Sequence, residues 1–247
     1  MMGRSLLLAL QFLTRLPVPA MAAVTERDTG RSLLWYPLVG LMIGLALSAL
    51  GWMLAGVPPL LRAALVLAAW VAITGALHLD GLGDSADAWM GGLGSRERTL
   101  AIMKDPYSGP GAVVMLVMVL LIKFAALTGI LAAGDWTLLL LAPVLGRVAL
   151  PLLFLTTPYV RPGGLGSALA RHLPRRAGMV VVLASVLCVA VIMGKAGVVS
   201  LVVAAAMFLI LRAMLLRRIH GTTGDTAGAM VELIETAVLV SVAIATA

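Results

Sequence analysis

Residues 111–133 read GAVVMLVMVLLIKFAALTGILAA, an apolar run whose single ionisable side chain is Lys123. A helix rises about 1.5 Å per residue, so this stretch is long enough to cross roughly 30 Å of hydrocarbon. Six further runs of similar character lie at 33–55, 60–79, 137–157, 178–194, 197–216 and 226–246. Apolar residues make up 62% of the 247 positions and charged residues only 12%. A water-soluble domain carries about 25% charged residues. That deficit excludes a water-soluble fold. The expected architecture is an all-α polytopic membrane protein with about seven transmembrane helices in one membrane domain, residues 1–247.

Short connections at Gly56–Pro59, Gly134–Trp136 and Gly194–Gly197 join spans one to two, three to four and five to six as hairpins. Longer segments at 80–110, 158–177 and 217–225 separate the hairpins. Fourteen of the 18 basic residues precede span one or lie in or beside those longer segments. Arg62 and Lys195 fall on the other side, and Lys123 and Arg147 lie inside spans. Positive-inside bias then predicts a cytoplasmic N-terminus, cytoplasmic long loops and an outward C-terminus.

Arg4, the apolar run Ser5–Phe12 and Ala20-Met21-Ala22 faintly suggest a signal peptide, but Arg15, Pro17 and Pro19 interrupt it. Residues 1–32 are expected instead to form an interfacial segment, with a helix over 4–13, and 33–247 the helical bundle. The net charge of +7 follows from the inside rule, and no basic stripe interleaves with aromatics, so no nucleic-acid partner is expected. Cys188, the one cysteine, excludes an internal disulfide and a cysteine metal site.

The 11 carboxylates are clustered. Asp80, Asp84 and Asp87 sit at i, i+4 and i+7, within an arc of about 60° on a helix. Neighbours about 5–6 Å apart would repel by about 3 kcal/mol at an effective dielectric near 20. A hard cation between them relieves that repulsion, and all-oxygen donors favour Mg²⁺, Mn²⁺ or Ca²⁺. Gly81 and Gly83 are expected to let a phosphate ligand approach the backbone. A second group runs from Gly221-Thr222-Thr223-Gly224-Asp225 to Glu232 and Glu235. Gly221, Asp225, Gly228, Glu232 and Glu235 share one face of a helical net. A charge inside a bilayer costs at least about 2.5–3.5 kcal/mol, so Glu232 must face the bundle interior, a metal or a cationic partner. Both acidic faces begin at the same ends of their helices and are expected to converge in one cytoplasmic-side active site.

Basic and polar partners are at hand. Lys104 and Ser108 lie in the turn-rich Met103–Gly111 segment, suited to phosphate oxygens. Arg147, inside a span, requires a carboxylate or a ligand phosphate, and Lys123 fits either a structural ion pair or a functional one. Arg161 belongs to the glycine-rich turn Pro158–Gly166. Metal-assisted phosphoryl transfer fits this set. No Walker-type loop, Ser-His-Asp set or cysteine nucleophile is present. A transporter would use the intramembrane charges as an ion pathway, but no second copy of the acidic motif exists.

These residues resemble the cobalamin synthase family, the adenosylcobinamide-GDP ribazoletransferases. Phe12–Pro19, His78–Asp87, Met103–Gly111, Tyr159–Gly166 and Gly221–Glu232 carry the likeness over nearly the whole chain. Ala88 and Pro106-Tyr107 depart from the family's usual residues. The aspartate spacing is also similar to that of CDP-alcohol phosphotransferases, whose full motif is missing. The resemblance implies attack of α-ribazole or its 5′-phosphate on adenosylcobinamide-GDP, release of GMP, and Mg²⁺ (or Mn²⁺) as cofactor, in a prokaryotic inner membrane. On this reading Asp80, Asp84, Asp87 and Asp225 hold metal, and Asp87, Asp225 and Glu232 act in catalysis. Arg15, Lys104, Ser108, Arg147, Arg161, Gly221 and Thr223 bind substrate. A homo-oligomer, or an assembly with other cobalamin-assembly enzymes, is compatible with it.

Overall fold

The computed structural model describes every residue except Met1, Ala20, Ala22, Gly164 and Ala247. Two residues of the apparent cleavage stretch, Ala20 and Ala22, and Gly164 of the glycine-rich turn therefore lie outside the described residues. The elements are helices: α1 (Met2–Leu13), α2 (Glu26–Ser32), α3 (Tyr36–Met53), α4 (Pro59–Thr74), α5 (Leu77–Gly91), α6 (Arg96–Ile102), α7 (Pro110–Ala133), α8 (Leu141–Thr156), α9 (Leu165–His172), α10 (Arg175–Ile192), α11 (Gly194–Ile219) and α12 (Gly224–Thr246). No strand occurs among the described residues; the one β-type contact is an isolated parallel bridge between Tyr159 and Thr222. The chain is an all-α polytopic membrane protein.

Local chemistry sets the helix ends. Thr25 and Asp28 cap each other at the start of α2. Pro59 and Pro110 open α4 and α7, where a missing N–H costs nothing. Gly134 ends α7 at φ 82°. Among the described residues six stretches are long and apolar enough to cross a membrane: Glu26–Met53, α7, Trp136–Thr156, α10, α11 and α12; the bent pair α4 and α5 makes a seventh if it counts as one broken span. Most of α8 and α12 is buried within the protein, whereas α7, α10 and α11 leave most of their apolar surface exposed, as lipid-facing helices do.

The second expected span, 60–79, needs correction. Helix α4 ends at Thr74, and α5 departs from it at 88°. Gly75 (φ 61°) and Ala76 (φ 56°) both adopt left-handed backbone, which turns the chain sharply between two otherwise helical stretches. Arg15, expected to bind substrate, lies at this corner: its N–H donates to the Ile73 carbonyl at 2.7 Å, and its side chain packs on Gly75. Helix α1 belongs to the same packing, with Ala9 and Leu13 fully buried in the core.

Helix α5 thus crosses the end of the bundle and lies against α12. The closeness comes from missing side chains. A Cβ on Gly81 would stand 2.6 Å from the Asp225 carbonyl oxygen, and one on Gly228 would stand 3.3 Å from the Cα of His78. Gly83 faces Ala112 and Leu116 of α7. The glycines expected to admit a phosphate admit neighbouring helices.

Several arginines tie down this end by donating to terminal helix carbonyls, where a cation also complements the helix dipole. Arg96 reaches the Ile219 carbonyl at 3.0 Å, and Arg175 reaches that of Leu155 at 2.7 Å. Arg212 reaches the Thr156 carbonyl at 2.6 Å, and Arg218 reaches that of Trp89 at 3.3 Å while also donating to the Thr99 hydroxyl at 3.0 Å. At the opposite end Arg62 donates to the carbonyls of Gly51 and Leu131 while stacking 4.2 Å from the Trp136 ring.

Candidate active site

Asp80, Asp84 and Asp87 do occupy one helix, α5, and Asp225 stands at the first turn of α12. Because α5 crosses α12 at Gly81, the two acidic groups meet at one end of the bundle. Partial burial, together with the charges of Asp80, Asp225 and Asp87, pushes the Asp84 carboxyl up to about 6 against the opposing pull of Arg161. Four carboxylates therefore share one electrostatic neighbourhood. Among the described residues no three carboxylate or imidazole groups stand close enough to enclose a metal ion as they are.

Beside them opens a cavity of about 510 Å³. Its polar wall contains His78, Asp80, Tyr159, Arg161 and Asp225, and its apolar wall Phe12, Tyr36, Leu150 and Phe154. Arg161 bridges Asp225 at 2.7 Å with both side chains partly exposed. A second pairing puts it there. The Val160 N–H donates to the Thr222 carbonyl at 2.9 Å, and the Thr222 N–H donates to that of Pro158 at 2.8 Å. This clamps the loop after α8 onto the loop before α12, one residue from Arg161. Tyr159 stacks on Phe154 with ring centroids 6.1 Å apart, and burial raises its hydroxyl pKa while Arg161 opposes the shift. Lys104 borders a smaller pocket with Arg161 and Thr223 on the neighbouring side. Ser108 is exposed on the same loop as Lys104.

Other expected site residues meet different partners. Asp87 accepts from the Gly109 N–H at 2.5 Å and the Ala112 N–H at 2.9 Å, so its carboxylate caps α7 across the gap between helices. Gly221 is buried beneath the Pro158 carbonyl and Val160, where no Cβ fits. Thr223 is fully buried and caps α12: the Thr226 N–H donates to its hydroxyl at 3.2 Å, and its own N–H donates to the Thr226 hydroxyl at 2.8 Å.

Glu232 and Arg147 lie in a buried ion network. Lys123 reaches Glu232 at 2.5 Å and Glu235 at 2.7 Å, and its ammonium sits 4.7 Å from the Trp70 ring. Arg147 pairs with Glu235 and approaches His78. Two cations and two carboxylates balance in the interior, linking α4, α5, α7, α8 and α12. Pairing of opposite buried charges meets the electrostatic demand that the sequence posed, although Nε of Arg147 finds no hydrogen-bond partner among the described residues. Sequence reasoning gave no role to His78 or Tyr159, although both stand inside quoted motifs; an aromatic or imidazole beside clustered acids was the available signal.

Fold and site together define a polytopic membrane protein with a carboxylate- and arginine-walled pocket at one end of its bundle. A family profile described as cobalamin-5-phosphate synthase matches residues 5–243. The chain belongs to that family, and is an enzyme of cobalamin biosynthesis. It is 61% identical over 241 residues, 98% of each chain, to the adenosylcobinamide-GDP ribazoletransferase of Pseudomonas aeruginosa strain UCBPP-PA14. It is 58% identical to proteins of the same name in Pseudomonas fluorescens strain Pf-5, over 96% of this chain and 98% of that one, and in Stutzerimonas stutzeri strain A1501, over 97% of each. No solved structure matches it.

Proposed function

We propose that the enzyme joins α-ribazole, or its 5′-phosphate, to adenosylcobinamide-GDP with release of GMP, at the cytoplasmic face of a prokaryotic inner membrane. The observation that carries this reading is the meeting of Asp80, Asp225 and Arg161 around one cavity, with Asp84 near enough to feel their charges. The cavity joins an apolar wall to a charged one, as a substrate with a large organic part and a diphosphate requires.

The oxygen-only donor set suits Mg²⁺ or Mn²⁺; burial first, and the neighbouring carboxylates after it, raise the Asp84 pKa, and a cation would relieve the repulsive part. Asp80, Asp84 and Asp225 would hold the metal, with Arg161 now balancing Asp225. Bound there, it supplies charge neutralisation for the diphosphate and for the leaving phosphate.

The chain's own groups do the rest. Arg161 and Lys104 bind phosphate oxygens, Arg161 exchanging its carboxylate partner for phosphate. One carboxylate of the group accepts the proton of the attacking ribose hydroxyl. Bond formation from that oxygen to the phosphorus nearer the corrinoid breaks the bond to the GMP oxygen, and GMP departs. Asp87 orients the 103–111 loop through the start of α7. Thr223 and Gly221 shape the loop that carries Asp225. Glu232 and Arg147 act in the interior, outside the reacting groups. The segregation of basic residues supports the cytoplasmic assignment.

The test uses purified protein in lipid, supplied with the GDP-linked corrinoid, ribazole and Mg²⁺. GMP release in step with product is expected, with at least a 100-fold loss in Asp84→Asn. Unchanged turnover and Mg²⁺ dependence in that variant would remove the metal assignment.

A further inference from the structure

One member of the buried ion network also borders the cavity. His78 is only 4% exposed, yet it is among the residues that line the cavity, together with Asp80 and Asp225. Its Nδ1 stands 3.4 Å from Nη2 of Arg147. A guanidinium carries N–H groups on every nitrogen and accepts no hydrogen bond. Only an unprotonated Nδ1 can face it, so the ring proton belongs on Nε2. Arg147 is itself held by Glu235, which Lys123 also engages, so the guanidinium cannot swing away without taking one of its two cations from a buried carboxylate. Nε2 has no hydrogen-bond partner among the described residues.

We propose that His78 is a substrate-contacting hydrogen-bond donor, whose Nε2–H, fixed in that tautomer by Arg147, binds a phosphate oxygen of the diphosphate substrate. An acceptor is required, because the only free ring atom is a donor. The cavity already presents Arg161 for an anionic oxygen, and the imidazole supplies a second, uncharged donor on the same wall. The same tautomer bars His78 from acting as the general base, since its lone pair is turned into Arg147. Proton acceptance is left to the carboxylates. Arg147 is a positioning residue: it acts through His78. The proposal rests on the reaction described above and names a contact within it.

The chain has three histidines, so a ¹⁵N-histidine label in lipid nanodiscs gives few signals, and His78→Phe identifies the relevant one. The wild type is expected to show the Nε2–H tautomer, Arg147→Met a mixture of both, and added inorganic pyrophosphate with Mg²⁺ a shift of the His78 Nε2 signal. In turnover, His78→Phe is expected to raise KM for the GDP-linked corrinoid at least tenfold. His78→Gln, whose amide N–H reaches the same place, should recover most of that loss. An Nδ1–H tautomer in the wild type, a mixture absent from folded Arg147→Met, or a wild-type KM in His78→Phe overturns the proposal. If Arg147→Met does not fold, the wild-type tautomer and the two His78 variants decide. A wild type that releases no GMP overturns the reaction instead, and the pyrophosphate shift then decides His78 alone: its presence supports the phosphate contact and its absence ends it.

Discussion

Gly81 of α5 lies against the main chain of Asp225 in α12, with 2.6 Å between the place a Cβ would take and the Asp225 carbonyl oxygen. The approach sets the separation of the two acidic groups. Gly81→Ala must push the helices apart, because the obstacle is backbone. Overpacking of this kind costs about 1–3 kcal/mol. Activity is expected to fall at least tenfold with a lowered melting temperature in detergent. Gly83→Ala meets the Ala112 methyl at 3.3 Å and should show a smaller fall in both. Equal effects in the two variants would mean that the α5–α12 approach is not what holds the site.

Lys123 serves two carboxylates at once. Lys123→Met leaves Glu232 and Glu235 with Arg147 as their remaining cation, and breaking one side of a buried ion pair costs about 3–5 kcal/mol. Thermal unfolding should show a large loss, partly restored in Lys123→Met combined with Glu232→Gln. A double variant no more stable than the single one would show that Glu232 does not depend on Lys123.

Arg161 makes the opposite case. Its bridge to Asp225 is partly open to solvent, so removing it should change stability by no more than about 1 kcal/mol. A hydrogen bond to a charged group is worth about 1.5–3 kcal/mol. Arg161→Met is therefore expected to raise KM for the GDP-linked substrate about 10- to 100-fold while the melting temperature holds. A large melting shift with an unaltered KM would assign Arg161 to the fold rather than to substrate.

Much of this was legible before the fold was known. Membrane spans announce themselves through long apolar runs, and the spacing of Asp80, Asp84 and Asp87 needs only helical periodicity. The break at Gly75–Ala76 was hidden, because alanine is a strong helix former and nothing local marks it for left-handed backbone. A buried Arg147 had to have a partner, but choosing Glu235 over a phosphate depends on how α8 and α12 align across 88 residues of chain. Thr223 and Thr226 were different: a hydroxyl three residues before another at a helix start is a local cap signal, and it was readable. Gly221 and Gly81 illustrate the remaining ambiguity. A glycine that admits a ligand and one that admits a neighbouring backbone look the same in one dimension.

The central claim is that the start of α12 and the acidic face of α5 form a single divalent-cation site. Mn²⁺ binding followed by electron paramagnetic resonance, on protein in lipid nanodiscs, tests it most directly. One tightly held ion per chain is expected in the wild type, and its loss in Asp84→Asn and, separately, in Asp225→Asn. Wild-type affinity surviving in either folded variant would contradict the account, since one helix would then suffice.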